Sequence, residues 1–336
     1  MNVNEDKPRP TVILFGPTPC ENEARLRRLL RTDWQLSTLR DEQDVPGLLK
    51  ALRQADAFIA LGWRAEWGGA APGLRLIQSP GAGVDTYDAR GLPPCCSLCN
   101  VYEHATPIAE YVLGAMVALT GKWLSRDRLL RCGIWEGTAR REGEPHGELA
   151  GGTLGLLGYG TIGRAVAARA AAFGMKVCAL RANPFAGPPE PPLAWMGGPG
   201  QLRELLDMSD YLVICCPLTP ETRGLLDAAK LAWLKPGAYL INVSRAEIVE
   251  EQALYAALKL GRLAGAALDV WYRYPQATDE RLLPAHAPFH ELENVLMTPH
   301  LSAWTHAMLE RRWTKIAANL DALAENRPMQ YVVART

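Results

Sequence analysis

The run Thr153-Leu-Gly-Leu-Leu-Gly158-Tyr-Gly160-Thr-Ile-Gly163 decides how this chain is read. A glycine triplet of this spacing is common, and only its surroundings give it meaning. Here an apolar strand leads into it and a helical segment ending near Gly174 leads out. In that context Gly158 permits a tight turn, and Gly160 lets the backbone approach a pyrophosphate. Gly163 lets the helix pack closely on its strand, while the helix N-terminus offers free amides to the anion. The turn residues Tyr159, Thr161 and Ile162 belong to the same phosphate-facing segment. Next, the strand expected over residues 176–180 ends at Arg181, where a site for NAD would place an acidic group against the ribose 2′-hydroxyl. Arg181 puts positive charge where a 2′-phosphate would lie, and Asn183 is placed to add a hydrogen bond. The reading is NADP(H) by preference, with NAD(H) as the alternative. An exposed arginine at a strand end is the plain structural explanation.

Outward from this motif the chain alternates between short apolar strands and amphipathic helices. Upstream, residues 11–15, 57–61 and 74–77 read as strands. Residues 21–31 read as a helix with Leu26, Leu29 and Leu30 on one face. Another helix begins at Pro46 after Asp44 as its cap, and Leu48, Leu49 and Leu52 share its apolar side. The segment 108–120, opened by Thr106-Pro107, is apolar almost all round and is expected to be buried. A strand–helix series resumes at Thr153 and runs to about Pro299. Within it, Cys215 and Cys216 read as strand core, and residues 183–200 as a long Pro- and Gly-rich loop. Residues 305–325 form a last helix, striped by Leu309, Trp313, Ile316, Leu320 and Leu323. Such repeats imply an α/β fold with doubly wound parallel sheets.

Composition narrows the function. The 336 residues suggest two domains at about 150 residues each, and 48% hydrophobic content is enough for two cores. Thirty-six basic residues balance 36 acidic ones, without the basic excess expected of a nucleic-acid binder. No run of 18 apolar residues marks a membrane span. Residues 1–10 lack the pattern of a secretory signal, so a cytoplasmic location with reduced cysteines is expected. Cys95, Cys96 and Cys99 cluster without a second group of ligands at metal-site spacing, and no metal is assigned.

Seven further segments line up with one family: Gly81-Ala-Gly-Val-Asp85, Ile108-Ala-Glu110, Pro217-Leu-Thr-Pro-Glu-Thr222, Leu234-Lys-Pro-Gly237, Asn242-Val-Ser-Arg245, Gly265-Ala-Ala-Leu-Asp269-Val and Thr298-Pro-His300. In this order the chain resembles the D-isomer-specific 2-hydroxyacid dehydrogenases, glyoxylate/hydroxypyruvate reductases among them, from about Thr11 to Pro328. The resemblance implies two Rossmann-like domains with an active-site cleft between them. Residues 1–102 and 302–336 would form the flavodoxin-like substrate domain, and residues 103–301 the dinucleotide-binding domain. Residues 122–148, which read alone as an exposed linker, match the family's dimerisation arm, so a homodimer is implied.

Hydride exchange between a 2-oxo acid and a nicotinamide needs a carboxylate anchor, a polariser of the carbonyl and a proton source. By resemblance Arg245 supplies the planar fork for carboxylate and carbonyl oxygens, and His300 is the acid/base. The amides of Ala82, Gly83 and Val84 would hold the carboxylate; His104, on the loop before the buried helix, is placed to assist, and Trp304, close after His300, either lines a larger substrate pocket or packs. Cys216, Pro217, Thr219, Thr222, Val243, Ser244 and Asp269 would line the cofactor, Asp269 at its nicotinamide end. Two positions depart from the family. Ala246 follows Arg245 where glycine is usual, which would narrow the backbone approach. More important, the glutamate expected 29 residues after Arg245, which pairs with the histidine, is Tyr274. A phenol can orient an imidazole but supplies no charge to favour imidazolium, so His300 is expected to work with a lowered pKa. Formate dehydrogenases of the same superfamily also lack that glutamate, carrying glutamine, but their substrate-loop asparagine aligns with His104. Two other readings stay open: a cofactor-bound sensor or corepressor-like binding protein, and an oxidoreductase acting on formate or phosphite.

Overall fold

The computed structural model describes residues 9–136, 145–184, 193–275 and 280–336. The chain divides into two compact units, Met1–Glu103 with Thr305–Thr336, and His104–Trp304. The first unit carries β1 (Thr11–Phe15), β2 (Gln35–Leu39), β3 (Ala57–Ile59), β4 (Leu76–Gln78), β5 (Ser97–Cys99) and the C-terminal β13 (Val332–Arg335). Among the described residues they form a sheet in the order β13-β5-β4-β3-β1-β2. All pairings are parallel except β13 on β5. The order 2-1-3-4-5 is that of a flavodoxin-like doubly wound sheet, closed at one edge by an antiparallel strand. Its core gathers Phe15, Phe58, Trp63 and Trp67, whose rings meet largely edge to face.

The second unit contains β6 (Thr153–Leu157), β7 (Lys176–Leu180), β8 (Trp195–Gly197), β9 (Tyr211–Ile214), β10 (Ala238–Asn242), β11 (Leu263–Leu268) and β12 (Val295–Met297). Their order, β12-β11-β10-β9-β6-β7-β8, is parallel throughout the described residues. From β8 it reads 3-2-1-4-5-6-7, the dinucleotide-binding arrangement, with the strand order reversing between β6 and β9. Ligands of such sheets bind beyond the carboxyl ends of the strands at that reversal. The buried helix Ala105–Thr120 covers one face, apolar almost all round as expected.

Several elements depart from the sequence reading, each for a local reason. The expected helix 21–31 is two short helices, Pro17–Glu21 and Glu23–Leu29. Prolines are tolerated in a first turn, so Pro17 and Pro19 allow an earlier start. Asn22, whose side chain donates to Thr18 O at 2.9 Å, stands at the break. Cys215 and Cys216 are not strand core: β9 stops at Ile214, and both lie partly exposed beyond its end. The expected loop 183–200 contains β8, which pairs with β7 through Cys178 and Trp195; residues 185–192 lie outside the described residues. The segment 122–148 opens with a helix, Trp123–Arg131, and its residues 137–144 lie outside the described residues. Asp44 caps its helix as expected, accepting from Gly47 N at 2.9 Å. Among the described residues no helix is long and apolar enough to cross a membrane.

Candidate active site

The glycine turn after β6 has the geometry its sequence required. Gly158 has φ 113°, and a Cβ there would lie 2.6 Å from Cys216 N. A Cβ at Gly163 would sit 2.5 Å from Gly158 O, so the helix can approach only because none is present. At Gly160 the added atom would meet nothing within 4 Å, which leaves open space in front of the helix Thr161–Ala172. That helix has no side-chain cap, so its first amides stay available to an anion. Glycine serves a different need at each position, and together they fit a pyrophosphate cradle at the sheet's reversal.

Cys215, just past β9, donates its thiol to Gly158 O at 3.0 Å, binding the two strand ends together. Ser244 Oγ donates to Cys216 O, and Ser244 N donates to Asn242 Oδ1 at 3.1 Å. Pro217, Thr219 and Thr222 form a self-bonded turn: Thr222 Oγ1 donates to Pro217 O at 2.8 Å and accepts from Thr219 N at 2.7 Å. The side chains of Tyr159 and Val243 are buried, so only their backbone is offered to a ligand. Arg181 follows β7, its N–H bonded to Gly197 O at 3.1 Å, and Asn183 is exposed nearby in sequence.

The second cluster lies beyond β11 and β12. Asp269 is wholly buried. Its Oδ1 accepts from Thr298 Oγ1 at 2.7 Å and Leu301 N at 2.8 Å, and its Oδ2 accepts from Ser302 N at 2.9 Å. These bonds grip both sides of His300, whose φ of 56° lies in the left-handed region. That conformation is strained for a residue with a side chain and persists only where its surroundings hold it. These bonds give Asp269 a part in holding the His300 loop, beside the nicotinamide contact that the resemblance implies. Tyr111 OH bonds Thr298 Oγ1 at 2.8 Å, and Trp271 Nε1 donates to Thr298 O at 2.8 Å. Reasoning from sequence missed both Tyr111 and Trp271, since an aromatic in an apolar helix or beside a strand end gives no sign of its polar partner.

Tyr274 lies beside His300, its phenol 3.1 Å from Nδ1 and the rings 5.9 Å apart. The phenol also accepts from Trp271 N at 3.2 Å. A hydroxyl has one proton and two lone pairs. With one lone pair used by Trp271, a neutral imidazole is well served: the phenol donates to Nδ1, and the ring proton sits on Nε2. An imidazolium would take the other lone pair and leave the phenol proton to find a new acceptor. Burial pushes the His300 pKa below the ordinary imidazole value; Asp269 raises it and Arg245 lowers it. Burial also pushes the Tyr274 phenol up, so it stays protonated. Arg245 itself donates to Ser244 O at 3.0 Å, while Asn242 Nδ2 donates to Arg245 O at 3.0 Å. Ala246, the second departure, is buried in the following turn.

In the other unit, the loop after β4 holds its carbonyls inward. Val101 N donates to Gly81 O at 3.0 Å, Asn100 Nδ2 to Ala82 O at 2.9 Å, and Ser79 Oγ to Gly83 O at 3.3 Å. The amides of Ala82, Gly83 and Val84 make no hydrogen bond among the described residues. The remaining substrate candidates differ in access: His104 is only 8% exposed, at the N-cap of Ala105–Thr120, while Trp304 is 53% exposed. Glu103 pairs with Arg311 at 3.4 Å. Cys96 and Cys99 are buried thiols pushed up to about 12 by desolvation. Among the described residues no three His, Cys, Asp or Glu side chains gather as a metal site requires.

The profile described as "D-isomer specific 2-hydroxyacid dehydrogenase, NAD binding domain" matches residues 113–302. D-3-phosphoglycerate dehydrogenase of Mycobacterium leprae is 34% identical over 83% of this chain, although the chain spans only 51% of that relative's length. Glyoxylate reductase of Thermofilum pendens is 32% identical over 82% of this chain and 80% of its own. Among solved structures, the NADPH-dependent glyoxylate/hydroxypyruvate reductase of Sinorhizobium meliloti, in complex with NADP and malonate, is 26% identical with a TM-score of 0.77, covering 97% of each chain.

By nuclear magnetic resonance, the His300 ring is expected to titrate below about 6.5. Tyr274→Glu and Arg245→Ala should each raise that value, the first by adding a negative charge and the second by removing a positive one. Because the folded pKa is the lower one, the unfolded chain binds more protons between the two values, so stability should rise with pH through that window. A His300 pKa above 7, or one unmoved by Tyr274→Glu, would contradict the proposed pairing.

Proposed function

The chain belongs to the D-isomer-specific 2-hydroxyacid dehydrogenase family of NAD(P)-dependent oxidoreductases, and on that premise we propose that it reduces a 2-oxo acid to the D-2-hydroxy acid with NADPH preferred. The observation that carries the reading is the His300 loop, a titratable ring held in a strained conformation by a buried carboxylate. When bound, the reduced nicotinamide supplies the hydride that adds to C2. The chain's own residues supply the rest. The amides of Ala82, Gly83 and Val84 would anchor the substrate carboxylate, and the Arg245 fork would hold its oxygens and polarise the carbonyl. Protonated His300 would give its Nε2 proton to the nascent alkoxide, leaving a neutral ring that keeps its Nδ1 proton, donated to the Tyr274 oxygen; in the reverse direction that tautomer takes the proton back at Nε2. Tyr274 would orient the ring through Nδ1 without charging it. Gly158 to Gly163 would hold the pyrophosphate, with Thr219, Thr222, Ser244 and the backbone at Cys216, Pro217 and Val243 beside the cofactor. Arg181 and Asn183 would receive the 2′-phosphate.

The assembly we propose is a homodimer. Trp123, Leu124, Leu130, Ile134 and Trp135 all expose apolar side chains within one short segment, more than a lone soluble chain usually leaves uncovered. Sedimentation at twice the monomer mass is the expected result, and a monomer at all concentrations would refute it.

Steady-state oxidation of NADPH and NADH against a panel of 2-oxo acids tests the reading. Turnover should favour NADPH, and Arg181→Ala should reduce that preference by about tenfold or more. Because reduction consumes the protonated ring, its rate should fall as pH rises through the depressed His300 pKa, and oxidation should gain over the same range. His300→Ala should cost about 10²- to 10⁴-fold in turnover. Tight cofactor binding with no turnover of any acid would sink the reductase and favour the sensor reading, for which Tyr274 is the motivating feature.

A further inference from the structure

Arg312 occupies a position where a charge is out of place. It lies on the helix His306–Ala324, between Met308 and Ile316, both fully buried. Its Nε is buried without a hydrogen-bond partner, and the guanidinium forms no ion pair among the described residues. Burial lowers its pKa to about 10 with no anion to offset the loss, which still leaves it charged at neutral pH. Only Nε is buried in this way, and burying it without a partner is costly. A long stem can pack while its tip reaches water, but the surroundings of this residue give it a more definite use.

Two neighbours on the helix locate it. Arg311 pairs with Glu103, shortly after β5, and donates to Glu103 O at 3.3 Å. Asn319 shares the face of Arg312, seven residues or about two turns on, and donates to Gln78 Oε1 at 2.8 Å. Gln78 ends β4 and in turn donates to Ser79 O, Cys99 O and Asn100 O. This stretch of helix therefore runs across the carboxyl ends of β4 and β5, the edge at which α/β sheets bind ligands. The loop bearing the amides of Ala82, Gly83 and Val84 leaves from the same edge. Asn100 Oδ1, also there, is likewise buried and unpartnered.

We propose that Arg312 receives a second negative group of the substrate, a carboxylate or phosphate on the side chain of the 2-oxo acid. The inference rests on the reductase reading and names the class of acid. The guanidinium fork matches either group bidentately, so the preferred substrates carry two anionic ends, one for the loop amides and one for Arg312.

The test compares kcat/KM of the full-length protein with NADPH for matched pairs: oxaloacetate with 2-oxobutyrate, 2-oxoglutarate with 2-oxopentanoate, and phosphohydroxypyruvate with hydroxypyruvate. The first two pairs probe a carboxylate and the third a phosphate. In at least one pair the dianion should be favoured by about tenfold or more. Arg312→Met should collapse that ratio to about threefold or less, and Arg312→Lys should keep part of it. Arg312→Met should also melt no lower than the parent, since it removes an unpartnered buried nitrogen. Monoanionic acids turned over as well as their matched partners with two anionic ends, or a ratio unchanged in Arg312→Met, would overturn this inference and leave the reductase standing. Failure to reduce any acid would overturn the reductase reading, and this inference with it.

Discussion

The buried carboxylate of Asp269 is the constraint on which the catalytic arrangement depends. Its two oxygens collect a hydroxyl and two backbone amides from Thr298 to Ser302, closing a turn around a residue with a left-handed backbone. Without those bonds the buried amide of Ser302 would lack a partner, and the turn that holds His300 in its strained conformation would lose its anchor. Trp271 and Tyr111 brace the same turn through Thr298, and Trp271 also fixes the phenol of Tyr274. A change at any of these residues is therefore transmitted to the His300 ring.

The glycine turn imposes a similar constraint at the reversal of the seven-stranded sheet. Gly158 brings the end of β6 against the backbone beyond β9, and Gly163 brings the helix down onto Gly158. Backbone packs on backbone at both contacts, and the open space in front of Gly160 follows from them. A bound anion there would meet amides and a helix dipole instead of side chains. The strand order matters because it places the turn at the edge where neighbouring strands diverge.

Much of this was legible in the sequence. β1 and β7 are found over the residues expected, because continuous apolar runs bounded by polar residues leave little ambiguity. β2, β5 and β13 went unread. β2 is an edge strand of mixed polarity, β5 has three residues, and β13 pairs antiparallel after a long helix, so none offers a periodic signal. The glycine motif could be interpreted because each glycine answers a separate steric need. The support of His300 could not, because hydrogen bonds between residues 269, 298, 301 and 302 arise only when β11 and β12 are paired. Tyr274 was visible as a departure, and its shared phenol became meaningful only once Trp271 N was seen to occupy one lone pair. Arg312 gave no sequence signal, since an arginine in an amphipathic helix is ordinarily a solvated side chain.

The most direct measurement compares Asp269→Asn with the parent protein, recording NADPH affinity by fluorescence and kcat for 2-oxo acid reduction. An asparagine of the same size can accept with only one oxygen and presents a donor toward the amides it should hold. If Asp269 acts by holding the loop, kcat should fall by about a hundredfold or more, while NADPH affinity changes by less than about threefold. A parallel loss of NADPH affinity with kcat retained would assign Asp269 to the cofactor and contradict the account.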